Sequence, residues 1–420
     1  MKLRYDYFSN RFMVEMLFVF SILMLMSKKM MDELHIIFGN KSIVSSTVLY
    51  IFIIVLFLWL VLIRFINQQS VNGNYAFILF LFLLGVLISV AFSPSGLSLL
   101  IELRNLLFAY VGVLLLCVVN MLDMRLKYKK EARVLIIIFT LCQSLLGIYQ
   151  HVARSPIIPV VDSTGKSIVN TIYYLNGISS KNPYFLDLGA EVRAFGMTDS
   201  GLTLGLFAFL GILLVSQLKN KFLSYLLTAI YLLAIYYSIT RVVWLIVILY
   251  FITLFLDRLE LTRLLPFMKT GWFTVGITLQ GLLLFSAGTV YIISIFSEFD
   301  TLLSRFEGLV YFMKNLSFNP ITIIFGQNFS SRLVYFNQVT RYSLDNEVFK
   351  IFADIGLLGV GIIFALYKKM LGYFNGRYLL FLSMFTMFGI GNVVNYFYIP
   401  LLVLSVMLLD TNKSEVYDVN

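Results

Sequence analysis

Cysteine and histidine are nearly absent from this sequence. Its 420 residues include two cysteines and two histidines. Cys117 and Cys142 both lie inside apolar runs, and His35 and His151 are far apart in the chain. Structural disulfides and zinc sites need several such residues at short, characteristic spacings. The pattern therefore argues against a disulfide framework and against a bound metal.

Charged residues are also scarce, at 13% of the chain, whereas hydrophobic residues make up 60%. Soluble domains are about 45–50% apolar. A soluble fold could not bury so much apolar surface, so the composition predicts a membrane protein. The net charge of +10 would suit a nucleic-acid partner, but the basic residues lie in short loops between apolar runs. We therefore predict that they orient the chain in a membrane and bind no nucleic acid.

The apolar residues are grouped into runs whose lengths suit membrane crossing, which needs roughly 20 residues per helix. We predict one all-α, polytopic membrane domain over residues 1–420, a bundle of about twelve transmembrane helices. No soluble domain and no internal repeat is evident. The runs fall at about 12–27, 47–66, 75–92, 99–122, 134–152, 199–217, 222–238, 241–256, 270–296, 348–367, 378–394 and 396–409.

The distribution of Lys and Arg predicts that both termini are cytoplasmic, because basic loops stay on that side. The strongest cluster lies between the fourth and fifth runs and comprises Arg125, Lys127, Lys129, Lys130 and Arg133. Lys28 and Lys29 fall on the opposite side in this arrangement, but they are the weaker signal. Two long segments, 153–198 and 297–347, are then extracytoplasmic loops.

Motifs for nucleotide or metal binding are missing. The chain has no phosphate-binding loop and no Asp-x-Asp for a metal-bound nucleotide sugar; the nearest match, Glu298-Phe299-Asp300, lies in a segment predicted to be outside. If this protein binds phosphate, arginine must do so. A guanidinium is permanently charged, planar and able to contact two phosphate oxygens at once. We therefore expect chemistry without a metal or another cofactor.

The first long loop ends at Arg193 and its neighbours, then runs directly into a helix. Thr198, Asp199 or Ser200 would cap that helix. Arg193 would then lie at the outer membrane surface beside a helix N-terminus, which favours anions. An interfacial arginine that pairs with lipid headgroups explains the residue equally well.

Arg241 stands in a very short turn between two apolar runs, in the sequence from Tyr236 to Trp244. A charge this close to the apolar core is costly, and such residues are functional candidates by default. A side chain that reaches out to the interface is the alternative. We favour the functional interpretation.

The second long loop spreads basic residues among aromatic ones, which suits a bound anion flanked by sugar-stacking rings. For any single residue a solvated loop is the simpler explanation. The loop ends in Asp345-Asn346-Glu347, where a helix begins, so capping accounts for these side chains. A carboxylate there could also act as a general base. The basic residues are Arg305, Lys314, Arg332 and Arg341.

Three separated segments resemble the O-antigen polymerase and ligase-like glycosyltransferases, the Wzy and WaaL types. The segment from Arg193 to Met197 resembles the family's Arg-x-x-Gly segment, and Ser238 to Arg241 resembles its Ser-Arg helix turn. The resemblance covers about residues 190–360. Its third part resembles the long loop and following helix, with Arg305, Pro320, Phe325-Gly326, Asp345-Asn346 and Gly356 to Gly359.

This resemblance implies a GT-C-like helix bundle in the bacterial cytoplasmic membrane. Its substrate would be an oligosaccharide on undecaprenyl diphosphate, in a capsule, exopolysaccharide or O-antigen pathway. A polymerase transfers the growing glycan from its lipid carrier to the next lipid-linked repeat unit, whereas a ligase transfers it to another acceptor. Membrane lipids, a chain-length regulator and a flippase of the same pathway are the implied partners.

The resemblance also implies roles for individual residues. Arg193 and Arg241 would hold the donor diphosphate and Arg305 would help to shape the site, with Arg332 and Arg341 as further substrate-binding candidates. The ligases usually have a histidine near the position of Asp345, and its absence here favours a polymerase. Asp345 would then be the base for the acceptor hydroxyl, with Glu191 as the main rival.

A flippase or transporter of lipid-linked glycans is the alternative from another class, because arginines that face a cavity would serve it too. Such a protein needs polar residues through the membrane, but here they gather at the outer ends of the runs. Glu102 and Arg104, in the fourth run, are the exceptions. An intrahelical or interfacial pair between them would explain both.

Overall fold

The described part of the chain is built from helices. This computed structural model describes residues 7–27, 51–56, 58–59, 62, 72–93, 98–122, 126–154, 193–198, 201–259, 316–317, 319–329, 347–371, 403–405 and 407–408. The helices are α1 (Tyr7–Met26), α2 (Gly73–Ala91), α3 (Leu99–Ala109), α4 (Val111–Leu122), α5 (Lys129–Val152), α6 (Gly201–Val215), α7 (Lys221–Tyr237), α8 (Arg241–Arg258), α9 (Pro320–Phe325) and α10 (Glu347–Leu371). Within these ranges no strand occurs, so the all-α prediction is confirmed there.

Two of these helices are long and apolar enough to cross a membrane. They are α2, with 19 residues, and α5, with 24 residues. The helices α3 and α4 together qualify as a third, although a bend of 61° separates them. Among the described residues, helices able to span a membrane are thus confirmed, whereas the count of about twelve stays a prediction. The predicted runs at 270–296 and 378–394 lie outside the described residues.

The described helices divide into two units. The first contains α1, α5, α6, α7 and the first half of α8, and α6 lies at its centre: every residue of α6 except Leu202 is buried. A helix that is apolar on all sides is expected to be enclosed by its neighbours. Gly211 of α6 permits close packing, because a Cβ there would overlap the ring of Tyr231 in α7. The ring of Tyr231 lies over this glycine, and its hydroxyl donates to the Ile137 carbonyl of α5 at 3.0 Å.

The second unit contains α2, α3, α4, α9 and α10. Two of the predicted continuous runs are broken here. The run at 99–122 bends at Tyr110, between α3 and α4, and α10 is interrupted at Gly356, whose φ of 70° and ψ of −163° are not helical. Residues distant in sequence form hydrogen bonds at both breaks, and the pattern of apolar residues does not predict such contacts.

The short helix α9 lies within the segment 297–347, where the sequence predicts a loop. Its start is well specified: Asn319 and Thr322 form a capping box, and Pro320 occupies the first turn. The helix ends at Gly326, whose φ is 77°. It packs against α2 and α10 within the second unit. At least this part of the segment is therefore an ordered element of the fold.

Candidate functional site

Arg193 lies in a non-helical segment, residues 193–198, that precedes α6. One guanidinium nitrogen, Nη2, donates to the carbonyl of Ile239 at 3.0 Å. Ile239 belongs to the three-residue connection from Ser238 to Thr240, and Arg241 is the first residue of α8. The structure therefore brings the first predicted arginine to the turn that leads directly into the second.

The connection between α7 and α8 has an unusual backbone. Ile239 has a φ of +50°, which is a rare conformation for a β-branched residue. The Thr240 hydroxyl donates to the Ser238 carbonyl at 3.0 Å and closes the turn. Gly201, at the start of α6, approaches closely: a Cβ there would lie 2.6 Å from the Ser238 carbonyl oxygen and 2.7 Å from Arg193 Cδ. Only glycine leaves room for both.

Two glutamines of α5 bind the backbone of the Arg193 segment. Gln150 accepts hydrogen bonds from the amides of Phe195 (3.2 Å) and Gly196 (2.8 Å) and donates to the Gly196 carbonyl (2.8 Å). Gln143 accepts from the amide of Met197 at 2.8 Å. Sequence reasoning missed both residues. The available signal was two amide side chains, seven residues apart, on one face of an otherwise apolar helix.

Aromatic rings lie beside this segment. His151 stacks on Tyr237 with ring centroids 4.0 Å apart, and Tyr236 stacks on Trp244 at 5.4 Å. The indole of Trp244 is oriented by its hydrogen bond to the Ile235 carbonyl at 3.1 Å. Tyr236 and Trp244 remain 58% and 40% exposed. The neighbourhood of Arg193 thus presents ring faces of the kind that stack on sugars or on an isoprenoid chain.

Five other residues are predicted for the site, and the structure does not describe them. Asp345, Glu191, Arg305, Arg332 and Arg341 lie outside the residues that the structure describes.

The structure describes part of the chain at the starts of α6 and α10, which follow the two long segments. Of the three predicted caps of α6, Thr198 donates its hydroxyl proton to the Phe195 carbonyl at 2.6 Å, and Asp199 and Ser200 are outside the described ranges. The predicted helix start after the second loop is confirmed, because Glu347 is the first residue of α10.

The second unit contains a separate, buried polar network. Glu102 of α3 is 2% exposed and Asp354 of α10 is fully buried. The Tyr110 hydroxyl donates to Asp354 Oδ2 at 2.7 Å, and Asn328 Nδ2 donates to Glu102 Oε2 at 3.0 Å. Buried carboxylates within membrane helices are rare and are functional candidates by default.

The network overturns the expected pairing of Glu102 with Arg104. The Glu102 carboxylate is bound by Asn328, and the Arg104 guanidinium donates to the Asn105 side chain at 3.1 Å. The pairing fails because Glu102 faces the interior of the unit, whereas Arg104, two residues on, points to another side of the helix.

The residues that follow α9 donate hydrogen bonds to the backbone at the break in α10. The amides of Gln327 and Asn328 donate to the carbonyls of Ala353 (3.0 Å) and Asp354 (3.2 Å), and so satisfy acceptors that the interrupted helix leaves open. Ser89 of α2 accepts from the Asn328 amide at 2.7 Å and donates to the Asp354 carbonyl. Sequence reasoning did not single out Asp354, Asn328 or Ser89.

The described residues define a membrane protein built from helices. Its Arg193 is bound to the turn that precedes α8, and two buried carboxylates, Glu102 and Asp354, lie in the interrupted helices. Within these residues no group of three or more His, Cys, Asp or Glu side chains could hold a metal ion. No family model matches the chain, and neither a curated protein nor a solved structure matches it. Inferences about function therefore depend on the residues and their geometry.

Proposed function

We propose that this protein is a glycosyltransferase that polymerises lipid-linked repeat units. It transfers the growing glycan from undecaprenyl diphosphate to the next lipid-linked unit at the outer face of a bacterial cytoplasmic membrane. The observation that carries the proposal is the 3.0 Å hydrogen bond from Arg193 to the Ile239 carbonyl. It joins the two segments that resemble the arginine motifs of the Wzy and WaaL families.

The proposed architecture is a GT-C-like bundle of about twelve helices with both termini in the cytoplasm. The segments 153–198 and 297–347 are then the two long extracytoplasmic parts of a single membrane domain. The apolar helices α2 and α5 support the membrane location. The basic cluster between the fourth and fifth apolar runs supports the orientation.

In the proposed reaction, an acceptor hydroxyl oxygen attacks the anomeric carbon of the donor sugar. The bond from that carbon to the diphosphate oxygen breaks, and undecaprenyl diphosphate leaves with the electron pair. The hydroxyl proton passes to a carboxylate, for which Asp345 is the first candidate and Glu191 the second. Arg193 and Arg241 stabilise the charge that develops on the diphosphate, a role that preorganised cations perform well at low dielectric. No metal is required.

The remaining assignments follow from the same resemblance. Arg305, Arg332 and Arg341 bind substrate from the second long segment, and the exposed rings of Tyr236 and Trp244 suit the glycan or the carrier lipid. Membrane lipids, a chain-length regulator and a flippase are the proposed partners. A ligase would perform the same substitution with another acceptor, and only the acceptor distinguishes the two.

The test is loss of long products in arginine variants. With purified protein and a lipid-linked repeat unit, and without metal or nucleotide, the wild type should make a ladder of longer glycans. Arg193→Ala and Arg241→Ala should lower the rate by about 100-fold or more. Lysine at either position should also be poor, because it lacks the planar fork.

Arg258→Ala is the matched control, since Arg258 is an exposed arginine in the last turn of α8 and should be dispensable. Normal chain lengths in both the Arg193 and the Arg241 alanine variants would contradict the mechanism.

A second candidate function is translocation of a lipid-linked glycan across the membrane. The observation that favours it is the buried pair of carboxylates, Glu102 and Asp354, at interrupted helices, since transporters often bind polar substrates or ions at such breaks. In proteoliposomes, a translocator would expose a labelled lipid-linked unit to a membrane-impermeant reagent and form no ladder.

The carboxylates provide the variants for this second test. For a translocator, Glu102→Gln and Asp354→Asn should lower the rate of exposure by at least about tenfold, because carboxylates within the membrane are costly and usually serve transport. Arg104→Ala is the control, because it removes an exposed charge two residues from Glu102. If longer glycans form and the labelled lipid-linked unit stays inaccessible to the reagent, translocation is excluded.

A further inference from the structure

We infer that Gln150 and Gln143 are positioning residues, which set the orientation of Arg193 toward the diphosphate. The inference rests on the proposed function and adds to it two residues that the family resemblance does not include. Neither glutamine need contact the substrate. Their effect is exerted through the backbone of residues 195–197, which they hold from the α5 side.

Gln150 binds this backbone with unusual completeness. Its side chain is fully buried, and its amide uses both ends: the oxygen accepts from Phe195 and Gly196, and the nitrogen donates to the Gly196 carbonyl. Gln143, two helical turns earlier, takes the next amide, that of Met197. Gly196 has a φ of +61°, and a Cβ there would lie 2.7 Å from Gln143 Oε1. The glycine and the glutamines therefore belong to one arrangement.

The segment is held from its other side by α7 and the following turn. The Ala194 amide donates to the Tyr237 carbonyl at 2.9 Å, and the Thr198 amide donates to the Phe195 carbonyl at 3.1 Å. Each backbone amide from 194 to 198 consequently has an acceptor. Because unsatisfied backbone groups are costly in an apolar surrounding, the segment cannot turn without losing several hydrogen bonds at once. The backbone that follows Arg193 is thereby fixed, while the Arg193 guanidinium contacts the Ile239 carbonyl.

Rigid support of this kind matters for the proposed chemistry. A displacement of about 1 Å at a reacting group can lower a rate by about 100-fold. If the glutamines only stabilised the fold, a variant that folds normally would transfer glycan normally. If they position Arg193, a folded variant with a disturbed clamp should show a fall in kcat that exceeds any rise in KM.

Gln150→Glu separates these cases by pH. When protonated, the new carboxyl group accepts with one oxygen and donates with the other, as the amide does. When ionised it cannot donate, and it faces the Gly196 carbonyl. We expect ladder formation at least about tenfold below the wild type at pH 8, with most of the deficit removed at pH 5.5. Gln217→Glu, at a half-buried glutamine beyond the far end of α6, is the control.

The rate of the variant is compared with that of the wild type at each pH, so that any pH dependence common to both cancels. Arg193 carries a permanent charge, and His151 follows Gln150 in α5 and stacks on Tyr237. Both are present in the wild type and in the variant. The ratio of the two rates therefore reports on the introduced carboxyl group.

Thermal unfolding of the same samples in detergent separates the outcomes. A pH-reversible loss of rate with an unchanged unfolding temperature supports the inference. Normal rates at both pH values overturn it, and so does a loss that is equal at both pH values and accompanied by early unfolding. If the wild type forms no ladder, the proposed function itself fails, and that result is distinct from the other three.

Discussion

Gly356→Ala should prevent the protein from accumulating in its folded form. Gly356 has a φ of 70°, and an added Cβ would overlap the backbone of Ile324 and lie 2.6 Å from the Gly326 amide nitrogen. Neither neighbour is a flexible side chain, so the break in α10 would have to open. The backbone conformation of Gly356 is nearly restricted to glycine and costs another residue about 1–3 kcal/mol, and overpacking adds about 1–3 kcal/mol. At their upper end the two costs together equal the stability of a marginally stable domain, about 5 kcal/mol.

Gly326→Ala should have a comparable effect from the opposite side of the same contact. Its φ is 77°, and a Cβ there would overlap the Asp354 carbonyl. Gly361→Ala is the control within α10, because nothing lies within 4 Å of its Cβ position. That variant should be as stable as the wild type or up to about 1 kcal/mol more stable. The measurement is folded yield and unfolding temperature in detergent; wild-type values for Gly356→Ala would refute the proposed close approach.

Asp354→Leu should lower the free energy of unfolding by at least about 2 kcal/mol. The substitution removes the acceptor of the Tyr110 hydroxyl in a fully buried place, and leaving a buried donor unsatisfied costs about 1–3 kcal/mol. Asp354→Asn keeps a side-chain oxygen and should be milder. Tyr110→Phe breaks the same hydrogen bond from the other partner.

A double-mutant cycle tests whether this hydrogen bond is responsible. The variant with both Asp354→Leu and Tyr110→Phe should be less destabilised than the sum of the single variants, by about 1 kcal/mol or more. Tyr225→Phe, at a tyrosine that is 73% exposed, should leave stability unchanged. Strict additivity within the cycle would mean that the two side chains contribute independently.

Much of the helical framework could be predicted, because apolar runs are a local property of the chain. The predicted runs at 75–92, 222–238 and 241–256 correspond within a few residues to α2, α7 and α8. The breaks at Tyr110 and Gly356 could not be predicted in this way. At Gly356, the amides of Gln327 and Asn328, distant in sequence, compensate for lost helical hydrogen bonds. At the bend, the Tyr110 hydroxyl binds Asp354, which is 244 residues away.

The candidate site divides similarly. Arg193 and Arg241 were recognisable because a cation beside an apolar run is conspicuous. Arg193 precedes α6, and Arg241 is the first residue of α8. The glutamines that hold the Arg193 segment were not, since an amide side chain in a helix looks the same whether it faces lipid, protein or a loop. For Glu102 the sequence suggests the wrong partner, because Arg104 is near in sequence and Asn328 is 226 residues away.

For this protein, the sequence by itself determined the helical class and helices apolar enough for a membrane, because these depend on composition and local order. It also singled out Arg193 and Arg241 as candidates. Only the tertiary structure decided which carbonyl Arg193 binds, which glutamines hold its backbone and where two helices are interrupted. Those features depend on hydrogen bonds between distant segments. In an apolar surrounding each backbone polar group must find its hydrogen-bond partner within the protein. These contacts are therefore specific, even though the local sequence does not reveal them.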